Sequence, residues 1–131
     1  MSNISKIKYI NIQRINKHGF INVAEVNKHI TFKIKRIYFI NNLGNSKKTR
    51  GFHAHKKLEQ FFICIKGSFE FKFYDGVKIR KLILQSNNKK ALYVPNLIWR
   101  EFFQLKKNSI LLVICNDYYK KEDYIYDINN M

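Results

Sequence analysis

Apolar and polar residues alternate along much of this chain, and turn-forming residues break the pattern every few positions. The clearest stretch is 69–74, with Phe69, Phe71 and Phe73 on one side and Glu70 and Lys72 on the other. Successive side chains of a strand point to opposite faces, so this alternation predicts a half-buried strand. Asp75-Gly76 then predicts a hairpin turn, and 77–84 returns as the next strand. The same reading places strands at 6–12, 20–25, 32–40, 91–94, 102–105 and 110–115. The apolar block Phe61-Phe62-Ile63-Cys64-Ile65 predicts a buried strand over 58–65, continuing the strand that carries His53 and His55. Asn16-Lys17-His18-Gly19 and Lys66-Gly67-Ser68 are turns, 41–48 is a polar loop, and 96–101 is a loop after Pro95, the only proline. The tail 117–127 is acidic and aromatic and predicts a short helix lying on the strands. No long amphipathic helix, internal repeat or linker precedes it. Many short strands in 131 residues predict a single all-β domain of the jelly-roll barrel kind.

Composition changes this picture little. Aromatic residues make up 15% of the chain and hydrophobic ones 46%, which excludes wholesale disorder. No apolar run approaches the roughly 18 residues that span a bilayer. Residues 1–8 lack an apolar segment followed by a cleavage site, so a cytoplasmic protein away from membranes is expected. Cys64 and Cys115 sit in apolar strand-like runs and are expected to be buried, reduced thiols. The net charge of +16 invites a nucleic-acid reading. Its lysines, however, are scattered in pairs such as Lys47-Lys48, Lys89-Lys90 and Lys120-Lys121, with no basic helix, zinc finger or glycine-rich loop. Nucleic acid is therefore not the expected partner, whereas an anionic small molecule would be welcome.

The candidate chemistry lies in Arg50-Gly51-Phe52-His53-Ala54-His55-Lys56-Lys57-Leu58-Glu59-Gln60. Residues i and i+2 of a strand share a face, so His53 and His55 project into one space. Imidazole titrates nearest neutrality and is the commonest metal ligand, so proton transfer and metal binding are the two readings. Two solvated histidines at the mouth of a β-structure is the plain alternative.

The run from His53 to Gly67 resembles the first motif of the cupin superfamily: His-x-His, a glutamate four residues on, a strand and a glycine turn. Seven residues separate Glu59 from Gly67, one more than usual. The second motif resembles Tyr93-Val94-Pro95-Asn96-Leu97-Ile98-Trp99-Arg100, with Arg100 where metal-binding cupins carry a third histidine. A guanidinium has no lone pair to donate, so the reading moves from a metal site to a metal-free acid/base cavity.

The resemblance narrows with Leu92-Tyr93-Val94-Pro95, Ile98-Trp99, Asn116-Asp117-Tyr118-Tyr119 and Glu122-Asp123-Tyr124-Ile125. In this order, from about Ile10 to Asp127, the blocks resemble the dTDP-4-keto-6-deoxyglucose 3,4-ketoisomerases. These are small, dimeric, metal-independent cupins that make nucleotide sugars for bacterial surface glycans. The resemblance implies a cupin barrel, a homodimer, no cofactor, a dTDP-linked sugar substrate and a downstream PLP-dependent aminotransferase. It places His53 and His55 as the catalytic pair, without saying which takes the proton. Tyr38 is a candidate for orienting a sugar hydroxyl, and Arg36, Arg50 and Lys56 for the diphosphate. Trp99 could stack on sugar or base. His18 falls where the family faces the sugar, while His29 reads as exposed. Arg100 resembles the branch that leaves carbon 4 gluco-configured; histidine there marks the galacto branch. The chemistry is self-consistent: the ketone acidifies the proton on carbon 3, a neutral imidazole can take it, and the ketone moves by one carbon without redox help. A 3,5-epimerase on the same substrate class and a non-catalytic sugar- or polyanion-binding cupin are the alternatives.

Overall fold

The computed structural model describes residues 3–131. Its strands are β1 (Lys8–Asn11), β2 (Gln13–Asn16), β3 (Phe20–Val23), β4 (Arg36–Ile40), β5 (Arg50–His55) and β6 (Gln60–Lys66). They continue as β7 (Ser68–Tyr74), β8 (Ile79–Gln85), β9 (Lys90–Val94), β10 (Trp99–Gln104), β11 (Ile110–Cys115) and β12 (Tyr124–Ile125). Two antiparallel five-stranded sheets result, in the orders β1-β9-β6-β11-β4 and β12-β5-β10-β7-β8, with β2 and β3 forming a separate hairpin. The all-β expectation holds. The sheets do not join into a ring, so the molecule is an open two-sheet jelly roll rather than a closed barrel.

Alternation explains the core. Phe69, Phe71 and Phe73 of β7 are all fully buried and pack with Phe62, Phe102, Leu92, Leu111 and Val113 between the sheets. Ring pairs at 5.1–5.5 Å link Phe71 to Phe62, Phe73 and Phe102. A second cluster lies on the outer face of the first sheet, where Phe61, Ala91 and Ile114 meet Ile30, Phe32 and Ile34. That cover makes β6 apolar on both faces, the reason its sequence runs unbroken through Phe61–Ile65 instead of alternating.

Several expected boundaries move. The first strand starts at Lys8, because Asn3–Lys6 is a 3-10 turn that buries Ile4. β2 falls between the expected first strand and the expected turn at 16–19; it pairs with β3 alone and buries little, so it carries no apolar stripe. Of 32–40 only Arg36–Ile40 is strand. Residues 58–65 do not continue the histidine strand: β5 and β6 lie in different sheets, and 56–59 cross between them with Leu58 buried. Trp99 and Arg100 are strand residues, not loop residues.

The helical tail is not there. Two 3-10 turns, Lys121–Asp123 and Ile128–Asn130, flank β12, which pairs with the free edge of β5 as Tyr124↔His55 and Ile125↔Ala54. Tyr124 and Tyr126 are two apart, so an extended chain stacks their rings on one side, at 5.4 Å and 13°. A helix would turn them roughly 200° apart. Among the described residues no helix is long and apolar enough to cross a membrane.

Candidate active site

The two sheets enclose a cavity of about 710 Å³. Tyr38 and Ile40 of β4 with Gln60 and Phe62 of β6 form one wall. His53 of β5 with Arg100 and Phe102 of β10 form the other; Tyr124 closes the side, and Lys48, Thr49, Arg50 and Phe52 ring the mouth.

A bulge aims the histidines. β10 pairs Arg100 with His53 but Glu101 with Gly51, leaving Phe52 as the extra residue. Gly51 and Phe52 both have positive φ, 95° and 57°. A Cβ on Gly51 would stand 2.6 Å from the Arg100 carbonyl oxygen, so only glycine fits. Bulges beside sites redirect side chains, and this one sends His53 inward and the half-exposed Phe52 ring to the mouth.

His53 Nδ1 lies 3.0 Å from the Gly51 carbonyl, which can only accept, so Nδ1 carries the proton and Nε2 keeps its lone pair. His55 is 1% exposed, behind His53, with ring centroids 4.9 Å apart and edge-on. Its Nδ1 donates to Asp123 Oδ2 at 3.1 Å, and its Nε2 is buried without a partner among the described residues. Burial and the Arg100 charge hold His53 down to about 4. Burial, Arg100, His53 and Arg36 hold His55 far below the usual imidazole range; the Asp123 carboxylate pulls the other way, but full burial beside fixed cations wins. Both rings are neutral bases at pH 7.

Arg100 is itself fully buried. Burial lowers it to about 10, which leaves it charged at neutral pH. It donates through Nη1 to Gln60 Oε1 and through Nη2 to the Ile98 carbonyl at 2.9 Å. With its carbonyl so held, Gln60 donates Nε2 to the Tyr38 hydroxyl at 3.3 Å. Tyr38 therefore accepts at oxygen and keeps its proton for the cavity. Burial raises its phenol above the ordinary range, so that proton is present at pH 7. Arg36 lies across the Tyr38 and Tyr119 rings, 5.5 and 6.0 Å from their centroids.

The cupin metal set does not form. The Glu59 carboxylate is held by the Tyr93 hydroxyl and by Asn116 Nδ2 at 3.1 Å. Arg100 fills the third-ligand place. Among the described residues no three His, Cys, Asp or Glu could hold one ion.

Of the expected site residues, Arg36, Tyr38, Arg50, His53 and Arg100 line the cavity, and His55 supports it from behind. Lys56 does not; it faces a separate depression with Lys120 and Glu122, because β5 ends at His55 and the chain turns outward. Trp99 is 5% exposed and donates to Glu101 Oε2 at 2.9 Å, on the opposite face of β10 from Arg100. His18 is exposed at the β2–β3 turn, outside the cavity. His29, expected at the surface, is buried and accepts the Glu25 amide proton at Nδ1, 2.9 Å away. Lys48, Thr49, Phe52, Gln60, Asp123 and Tyr124 also belong to the site, and the sequence marks the last four only as members of motifs, without a role. The Tyr124–Tyr126 spacing was a strand signal; nothing local tied Asp123 to a histidine 68 positions earlier.

The two-sheet jelly roll thus brings a buried imidazole pair, a buried guanidinium and a phenol to one cavity. Residues 3–131 match the family model described as FdtA: WxcM-like, C-terminal, and the chain belongs to that family. It is 39% identical over 101 residues, 77% of this chain and 71% of the relative, to a TDP-4-oxo-6-deoxy-alpha-D-glucose-3,4-oxoisomerase of Aneurinibacillus thermoaerophilus. QdtA, a sugar 3,4-ketoisomerase of Thermoanaerobacterium thermosaccharolyticum solved with TDP, superposes at TM-score 0.87 and 31% identity, over 95% of this chain and 92% of that one. WlaRA, a TDP-fucose-3,4-ketoisomerase of Campylobacter jejuni, does so at 0.86 and 35%, over 95% and 91%.

Proposed function

We propose that this chain is a nucleotide-sugar 3,4-ketoisomerase acting on dTDP-4-keto-6-deoxyglucose, with no cofactor. The observation that carries the reading is the neutral His53, lone pair on Nε2, facing the same cavity as the Tyr38 hydroxyl and the Arg100 guanidinium. In net, one proton moves from carbon 3 to carbon 4 and one from the carbon-3 oxygen to the carbon-4 oxygen. His53 takes the carbon-3 proton and passes it on to solvent, and carbon 4 receives a proton from water on the opposite ring face, because the hydrogens on carbons 3 and 4 are trans in a gluco-configured sugar. Tyr38 donates to the carbon-4 oxygen and recovers a proton from the carbon-3 hydroxyl. Arg100, charged and desolvated, stabilises the enediolate between them. Arg36, Lys48 and Arg50 suit the diphosphate, and Phe52 the nucleotide end.

The chain works as a homodimer in this reading. Ile37 and Phe39 on the edge strand β4, and Phe20 and Ile21 on the β2–β3 hairpin, are between 49% and 63% exposed. Those faces suit a second copy. His18 sits on that hairpin, so a role for it at the sugar requires the hairpin to reach the partner's cavity. The 3-keto product suits a PLP-dependent aminotransferase making 3-amino-3,6-dideoxy sugars for surface glycans, in the cytoplasm.

Arg100 cannot supply a proton at neutral pH, so carbon 4 is protonated by water on the Arg100 side, the face opposite His53. A gluco-configured 3-keto product is expected. The assay traps it with a 3-aminotransferase and reads carbon 4 from its proton couplings. A galacto product would show that Arg100 does not set the face; absence of any 3-amino sugar would leave a binding protein instead.

A further inference from the structure

Asp123 receives more donors than a tail residue needs. Its Oδ2 accepts from His55 Nδ1 at 3.1 Å, and its Oδ1 accepts the Lys57 backbone N–H at 2.8 Å. Its own carbonyl accepts the Lys56 N–H at 2.8 Å, and its N–H donates to the Lys120 carbonyl at 3.0 Å. β12 continues from it onto β5 with Tyr124 opposite His55. The side chain is only 14% exposed. The last segment of the chain thus carries a carboxylate to the back of a histidine already buried in the site.

We propose that Asp123 is a positioning residue that fixes His55 in the tautomer with its proton on Nδ1 and its lone pair on Nε2. The argument is a count of donors. A carboxylate offers acceptors at both oxygens, and both are used by groups that donate. The Lys57 N–H is a backbone donor and cannot become anything else. The imidazole can. Whichever tautomer His55 adopts therefore follows from what stands opposite Nδ1, and a carboxylate demands N–H there. Nε2 is left as an acceptor, buried beside His53 and without a partner among the described residues. The unprotonated Nε2 can take a proton from its neighbour; the other tautomer could not.

The substitution Asp123→Asn isolates this step. An amide has one acceptor, and the fixed Lys57 N–H claims it. The amide NH2 then faces His55 Nδ1, which must accept, so the proton moves to Nε2. Shape, backbone bonds and the Lys57 contact survive. The inference rests on the ketoisomerase reading only for its effect on rate; the tautomer is measured without substrate. In native protein labelled with 15N-histidine, long-range 1H–15N spectra are expected to show a protonated Nδ1 and an unprotonated Nε2 for His55, reversed in Asp123→Asn. With dTDP-4-keto-6-deoxyglucose, kcat of the variant is expected to fall about 100-fold, with KM within about threefold of native. A residue that only clasps the tail would lower stability and leave the tautomer and kcat alone. Unprotonated Nδ1 in the native protein overturns the proposal, and so does native kcat in the folded variant. If Asp123→Asn does not fold, the native spectrum decides by itself. Native protein without turnover would refute the ketoisomerase reading and leave the tautomer result standing.

Discussion

At the residue scale the site turns on two imidazoles kept neutral by their surroundings. Burial is the larger cause and Arg100 the next, for His53 and His55 alike. The consequence for stability has a definite sign. In the unfolded chain these histidines protonate near the ordinary 6.5, whereas folded His53 resists protonation down to about 4. Between those values the unfolded chain binds more protons, so stability complete above pH 6.5 is lost as pH falls towards 4. Urea midpoints measured from pH 8 to pH 4 should be level above about pH 7 and fall below it, with a shallower fall in His53→Asn. A native midpoint unchanged to pH 4.5 would mean that the rings titrate normally. The pair itself was legible because a spacing of two has one meaning on a strand. Its controls were not: Arg100 was visible as a missing metal ligand and a mark of product configuration but not as a buried charge beside the pair, and Asp123 arrives from the tail by chain topology.

At the element scale the bulge in β5 links sequence to geometry. Gly51 was read as part of a motif, but its necessity is steric: the β10 carbonyl at Arg100 occupies the place of a Cβ. Gly51→Ala should cost about 2 kcal/mol or more, through the clash and an unfavourable φ of 95°, and should displace His53. Denaturant titration checks this, and a variant within about 0.5 kcal/mol of native would show that β5 and β10 can part cheaply. Strands with a clear alternation, such as β7, were readable to within a residue. Those that draw their partners from distant segments were not. The acidic, aromatic 117–127 tail looked helical; the free edge of β5 draws Tyr124–Ile125 into a strand instead. Trp99 looked like a stacking platform until β10 extended through it, and alternation then sent Trp99 and Arg100 to opposite faces.

For the whole molecule, the all-β class followed from many short strands and turns, while closure could not be read, since sheet edges depend on which strands meet. The charge of +16 also takes its meaning at this scale. Most of it is spread over the solvated surface, and a handful of cations meet at one cavity: Arg36, Lys48, Arg50 and Arg100. That arrangement favours a diphosphate-linked sugar over a polyanion. The most direct test is incubation with dTDP-4-keto-6-deoxyglucose in deuterated water, followed by 1H and 13C NMR. The account predicts a carbonyl at carbon 3 and a new C–H or C–D at carbon 4, with carbon 5 undisturbed. His53→Asn should slow its formation about 100-fold. Deuterium at carbon 5 with the carbonyl still at carbon 4 would mark an epimerase, and an unchanged spectrum a protein that does no chemistry on this sugar; either would contradict the account.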